Sequence, residues 1–311
     1  MSFSYIVVFT LMLEKIIMIR KLNKIFDKSE VMEINDKSKI VIMSDCHRGT
    51  GDNFDNFLKN RNVYRAALSY YFRNDFTYIE LGDGDELWEV DNYKEIIDIY
   101  LDIFRQLKKF YDEDRLIMIY GNHDIIKRDD EVLKKYFYNY YNESTNHYEK
   151  LLDGLKVYES LVLKYKNEDI FMLHGHQVDF LNGTLWRFSR FLVRNVWHYL
   201  EFLGINDPTS AAKNNYVSNL VEKKLQKWSF KNNKIIIAGH THRPLFPKVG
   251  QSMYFNDGSC IHPNGITCLE ISNGKITLVK WELNVKEDGL LYVERFLMSS
   301  EEPIINFFNT D

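Results

Sequence analysis

The stretch IVIMSDCHRG (residues 40–49) decides how this chain is read. A run of Ile, Val, Ile and Met has the content of a buried strand, and it stops at an Asp-x-His, Asp45 and His47. One reading is a turn carrying two polar side chains. The other is a metal site, because residues i and i+2 of an extended segment point the same way. Alone the motif decides nothing, so the rest of the chain has to.

Four more apolar runs of strand length follow: FTYIEL (76–81), RLIMIY (115–120), DIFMLH (169–174) and KIIIAGH (234–240). Each ends in Gly, Asp, Asn or His. Between the first three strands lie segments with apolar residues at helical spacing, 63–74 and 93–110. This alternation predicts an α/β core with its polar residues at the strand ends, where such sheets bind ligands. Beyond residue 250, SMYFNDGS, ITCLEIS, KITLVKWEL and GLLYVERFL are separated by turn signals such as Asn273-Gly274, and predict a run of antiparallel strands.

Bulk properties narrow the function. The 311 residues are 45% apolar with a formal net charge of −4, a globular composition without the basic surplus of a general nucleic-acid binder. Three cysteines, Cys46, Cys260 and Cys268, carry no paired metal spacing, which argues against a disulfide framework and for a reducing compartment. The apolar N-terminus is interrupted by Glu14 and Lys15 before it could span a bilayer. Residues 1–37 therefore read as an N-terminal extension, with Met18 a plausible soluble start, and 38–311 as the domain.

Residues 177–231 interrupt the strand series with a helical, aromatic and basic insertion. Arg187, Arg190 and Arg194 share one helix face, and Leu185, Phe188, Leu192 and Val196 another. Gly204 and the NDP at 206–208 end that helix, and a second is expected to begin near a cap at Ser210.

Lined up, the strand-end clusters are Asp45-x-His47, GDGDELWE with Asp83, GNHD with Asn122, His123 and Asp124, HGH with His174 and His176, and GHTH with His240 and His242. Carboxylate, amide and imidazole donors without cysteine suit Mn, Fe or Zn rather than a structural thiolate site. This order of motifs, over roughly residues 38–260, resembles that of the calcineurin-like metallophosphoesterases. The resemblance implies an αββα sandwich, here with a helical lid-like insertion, and two divalent metal ions, manganese first with iron or zinc as alternatives. It further implies that Asp45, His47 and His242 hold one ion and Asn122, His174 and His240 the other. Asp83 bridges them, and His123 is the catalytic imidazole, steadied by Asp124. In HGH either ring could be the ligand; the motif match favours His174 with His176 behind it, and Asp85, Glu86 and Glu89 are expected as caps and outer acceptors and Cys46 in the core. His147, His198 and His262 have no motif support, though His262 lies shortly after GHTH.

The LGDGDELWE block and the Arg-bearing insertion are similar to the UDP-2,3-diacylglucosamine pyrophosphatases, whose insertion is a lid over a lipid-linked nucleotide sugar. Those enzymes carry Arg where this chain has His123. The implied activity is metal-dependent hydrolysis of a phosphoester or pyrophosphate bond in an amphipathic substrate. Alternatives are a protein Ser/Thr phosphatase, a broad phosphodiesterase, or a catalytically silent scaffold. Arg187, Arg190 and Arg194 would meet an anionic head group, with Trp186, Phe188, Phe191 and Trp197 shaping an apolar channel. Arg48 would bind substrate phosphate or pair with a nearby carboxylate. The expected setting is cytoplasmic, with peripheral contact to the inner membrane surface through the insertion and no specific nucleic-acid partner.

Overall fold

The computed structural model describes residues 17–52, 55–90, 92–197 and 214–308, without the side chains of 196 and 197. Among them, two sheets pack face to face with helices outside each. The larger sheet runs Leu291–Leu297, Lys275–Val285, Ile266–Ser272, Lys39–Met43, Thr77–Leu81, Leu116–Ile119 and Val157–Tyr158, with Glu302–Pro303 beside Lys275. The smaller runs Glu30–Ile34, Ser160–Tyr165, Glu168–Leu173, Ile235–Ala238 and Tyr254–Asn256.

The two-residue period of each strand assigns its side chains to layers. Ile40 and Ile42 meet Leu163, Met172 and Ile237 in the core between the sheets. Val41 and Met43, one residue out of phase, pack instead under the helices Arg61–Arg73, Tyr93–Ile99 and Leu101–Asp112. On the far side of the smaller sheet, Phe171, Ile236 and Tyr254 pack against helix Asn215–Asn232. The result is the αββα order, and all five strands that carry candidate ligands end at the same edge of the molecule.

Three expectations are corrected. Residues 17–34, expected as part of the N-terminal extension 1–37, pack against the domain. The helix over 17–26 buries Leu22 and Ile25 against Val221, Leu225 and Trp228, Asn23 accepts a hydrogen bond from Trp228 Nε1 at 2.7 Å, and Glu30–Ile34 adds a parallel edge strand to the smaller sheet. The strand at Tyr254–Asn256 does not join the antiparallel run either. It pairs parallel with Ile235–Ala238, whereas the antiparallel series begins at Ile266. Its three side chains are buried on both faces, the pattern of an inner parallel strand. The single helix expected over 93–110 is two, meeting at Tyr100.

Shortening the chain tests the first correction. A chain beginning at Met18 keeps these contacts and is expected to unfold at the same urea midpoint as the full chain. Leu22→Ala is expected to cost about 2–5 kcal/mol by the same measurement, the usual penalty for emptying a buried leucine site.

Candidate metal centre

The strand ends do not present their ligands by extended geometry. Asp45, His47, Asp83, His240 and His242 all have positive φ, between 48° and 67°. Non-glycine residues adopt this left-handed region at a cost of roughly 1–2 kcal/mol each. The turns hold because neighbouring loops lock one another. The Asp45, His47 and Arg48 amides donate to the Gly82, Asp83 and Gly84 carbonyls at 2.9–3.0 Å. The approach is so close that a Cβ on Gly121 would overlap Asp83 Oδ1, and one on Gly239 would lie 2.6 Å from Asp45 Oδ2.

Each buried carboxylate divides its two oxygens. Asp45 Oδ2 accepts from the His240 amide at 2.9 Å and from Ser44 Oγ, while Oδ1 has no hydrogen-bond partner and lies 2.9 Å from His242 Nε2. Asp83 Oδ1 accepts from the His123 amide at 2.8 Å, and Oδ2 faces His174 Nε2 at 3.1 Å and His47 Nε2 at 3.8 Å. Asn122 Oδ1 is buried without a partner.

The imidazoles divide in the same way. His174 Nδ1 lies 2.9 Å from the Leu81 carbonyl, which can only accept, so Nδ1 carries the proton and the Nε2 lone pair points at Asp83. His47 Nδ1 is 2.9 Å from Glu86, and its Nε2 is 3.3 Å from His242 Nε2. Lone pairs and carboxylate oxygens facing one another at these distances require positive charge between them. Without a cation only protons can supply it. Burial alone would depress both rings, yet Asp83 and Asp45 hold His174 up at about 9, and Asp45 and Glu86 hold His47 well above its ordinary value. A divalent cation would replace those protons.

The ligand atoms of Asp45, His47 and His242 converge as one group and those of Asp83, His174 and His240 as another, while Asn122, whose Oδ1 is buried without a partner, directly precedes His123, the residue whose amide donates to Asp83. The donors present therefore fit divalent metal. The rings least enclosed are His47, His242 and His123, the last with 20% of its side chain exposed, so the centre opens on that side.

Several residues take parts different from those expected. Asp124 does not touch the His123 ring. It accepts from the Gly121, Asp83 and Gly84 amides and pairs with Lys127 at 2.7 Å, bracing the loop of Asp83. Glu86 is the carboxylate that holds His123, at 2.7–2.8 Å from Nδ1, and it holds His47 as well. A glutamate three residues after Asp83 was visible in the sequence, but its reach to two rings was not. Trp88 stacks on His123 with centroids 4.2 Å apart and donates from Nε1 to the Asn122 carbonyl. Asp179, unremarked in the sequence, lies 3.2 Å from His240 Nε2. His176 is buried beside His174 and His240 but belongs to neither ligand group.

Arg48 is fully buried and pairs with Glu80 and Asp85 at 2.6–3.0 Å, so it cannot meet a substrate, and the carboxylate-pairing alternative describes it. Arg194 is also held, donating to the Trp88 carbonyl at 3.0 Å and tying the insertion to the loop of Glu86. Arg187 is exposed and lies over the Trp186 ring. Arg190 is half-buried on the same helix, Trp186–Leu192. Of the expected apolar face, Leu185 is 39% and Phe188 55% exposed and Leu192 is half-buried; Phe191, expected to line an apolar channel, is 58% exposed. The second helix is capped by Asn214; Ser210, Gly204, 206–208, His198 and the Trp197 ring lie outside the described residues. Cys46 is buried in the core as expected, His147 is exposed, and His262, partly buried, joins no ligand group.

A calcineurin-like phosphoesterase model matches residues 38–244. No curated protein matches the chain. Similar solved structures include a conserved uncharacterised protein of Streptococcus pneumoniae described as a predicted phosphoesterase, 15% identical over 84% of this chain and 97% of that one with TM-score 0.33. Chaetomium thermophilum Vps29 is 12% identical over 86% and 98%, with TM-score 0.39. A cold-active protein-tyrosine phosphatase of a psychrophilic Shewanella is 14% identical over 85% and 83%, with TM-score 0.36. At such identities and scores these likenesses carry no argument of their own.

Beneath the centre, Lys127 is 1% exposed and lies within 3.5 Å of Glu80, Asp85 and Asp124. Lys127→Met leaves three buried carboxylates facing Arg48 alone, and is expected to cost about 3–5 kcal/mol in urea unfolding.

Proposed function

Because the chain belongs to the calcineurin-like phosphoesterase family, and is a metal-dependent phosphoesterase, we propose that it works with two divalent cations on an amphipathic phosphoester or pyrophosphate. The observation that carries the two-ion reading is the His174 Nε2 lone pair, buried, unpartnered and aimed at an Asp83 oxygen that also faces His47 of the other group. In this reading Asp45, His47 and His242 would hold one cation, Asn122, His174 and His240 the second, and Asp83 would serve both. When bound, such a pair would polarise the phosphoryl oxygens and lower the pKa of water, so that hydroxide is available as the nucleophile near neutral pH.

The remaining chemistry belongs to side chains. The His123 ring has its Nδ1 committed to Glu86 and its face to Trp88, so Nε2 is left at the open side of the centre. Burial would lower its pKa, but Glu86 and Asp83 hold it above the ordinary value, so the ring carries a proton to give. It donates that proton to the leaving oxygen, while Glu86 keeps the ring oriented as it becomes neutral. Asn122 completes a ligand set without adding negative charge against an anionic substrate. Manganese is the first candidate for the metal.

The amphipathic substrate is supported by the insertion. Phe188 and Phe191 stand exposed on a segment whose Arg194 is tied to the carbonyl of Trp88, the residue stacked on His123. Apolar substrate chains can lie against these rings while the phosphorus reaches the centre.

The test is hydrolysis of a nucleotide diphospho-lipid and of a small aromatic phosphoester by variants whose metal content is measured. Asp83→Ala is expected to abolish both activities and lower bound metal. Retention of two ions per chain with normal turnover would overturn the bridging role. His123→Asn is expected to keep its metals and slow turnover by about 10² to 10⁴, more for poor leaving groups than for good ones. Phe188→Ser with Phe191→Ser is expected to weaken kcat/KM for the lipid alone, and equal loss on both substrates would contradict the amphipathic reading.

A further inference from the structure

We propose that the paired helices over 17–26 and Asn215–Asn232 form a docking surface for the anionic face of a lipid bilayer. The inner sides of these helices are accounted for, since Leu22 and Ile25 pack with Val221, Leu225 and Trp228 over the smaller sheet. Their outer sides face solvent. With 100° per residue, Tyr216, Leu220, Lys223, Lys227, Phe230 and Lys231 fall on one stripe of the longer helix. All six are exposed, Tyr216 at 71% and Phe230 at 75%. On the neighbouring helix, Ile17, Arg20 and Lys24 form a matching exposed stripe, which Lys28 continues just past its end.

None of the six exposed cations Arg20, Lys24, Lys28, Lys223, Lys227 and Lys231 forms an ion pair with a described residue. By contrast, the half-buried Lys21 and Lys224 turn inward to the Gln177 and Val178 carbonyls. Asp27 is the one acid on the outer stripes, and Glu222 points inward to Thr241. A local surplus of unpaired cations on a chain of net charge −4 calls for an anionic partner. What selects a bilayer is the mixture: Tyr216, Leu220 and Phe230 share the exposed stripe with Lys223, Lys227 and Lys231. That arrangement places aromatic and aliphatic groups at the acyl boundary and ammonium groups among lipid phosphates. Among the described residues no helix is long and apolar enough to cross a membrane. The longer helix also flanks the metal centre, because Glu222 bonds Thr241, between His240 and His242.

The inference does not rest on the substrate reading, since binding is measured without turnover. The full chain is sedimented with phosphatidylcholine vesicles, with and without phosphatidylglycerol, at low and physiological salt. Binding is expected only with phosphatidylglycerol and weaker at the higher salt. Lys223→Glu with Lys227→Glu and Lys231→Glu is expected to reduce it about tenfold or more, with turnover of a small phosphoester unchanged. The other helix supplies an independent set: Arg20→Gln with Lys24→Gln and Lys28→Gln is expected to weaken binding several-fold. Phe230→Ser with Tyr216→Ser is expected to do the same without altering the dependence on salt. Equal binding to both vesicle types, or charge variants that bind like the parent, would overturn the proposal. So would charge-dependent binding to duplex DNA with no loss in the Phe230 and Tyr216 variant, which would assign the face to nucleic acid.

Discussion

The division of labour within two carboxylates holds this site together. Asp45 and Asp83 each spend one oxygen on a backbone amide from a different strand end, His240 for Asp45 and His123 for Asp83. The other oxygen is thereby fixed in direction and aimed at imidazole nitrogens. Loops that emerge from both sheets are stitched together by these bonds, so the centre forms only when the two sheets are packed. The left-handed turns at five candidate ligand positions are tolerable because so many neighbours determine them.

Charge gives the second constraint. The floor of the site is a buried group in which Arg48 and Lys127 face Glu80, Asp85 and Asp124, leaving one negative charge in excess. Above it, Asp45, Asp83, Glu86 and Asp179 surround the histidines. So much buried carboxylate is costly unless cations compensate it. The half-built charge balance is a physical reason why a fold of this kind retains metal.

Much of this was legible in the sequence, and the exceptions have identifiable causes. The core strands lie within a residue or two of their expected bounds because apolar runs ending in Gly, Asp or His are local signals. Tyr254–Asn256 was misplaced because three buried residues show no alternation, and only pairing decides which sheet they join. Residues 17–34 were set aside because an apolar start looks like a leader, whereas Leu22 and Ile25 are apolar for the sake of a helix about 200 residues onward. Glu86 and Asp124 exchanged roles for a similar reason. Both follow their motifs at suitable spacing, but the side chain that reaches His123 is chosen by the turn after Asp83, which sequence spacing does not encode. Arg48 lies next to an anion site in sequence and beneath it in space.

The central claim is that two cations share the Asp83 oxygen. Anomalous diffraction from crystals grown with manganese tests it most directly. The account predicts two peaks about 3.5–4 Å apart. One would touch Asp45, His47 and His242, the other Asn122, His174 and His240, with Asp83 between them. A single fully occupied peak, or a pair in which Asp83 touches only one ion, would contradict it.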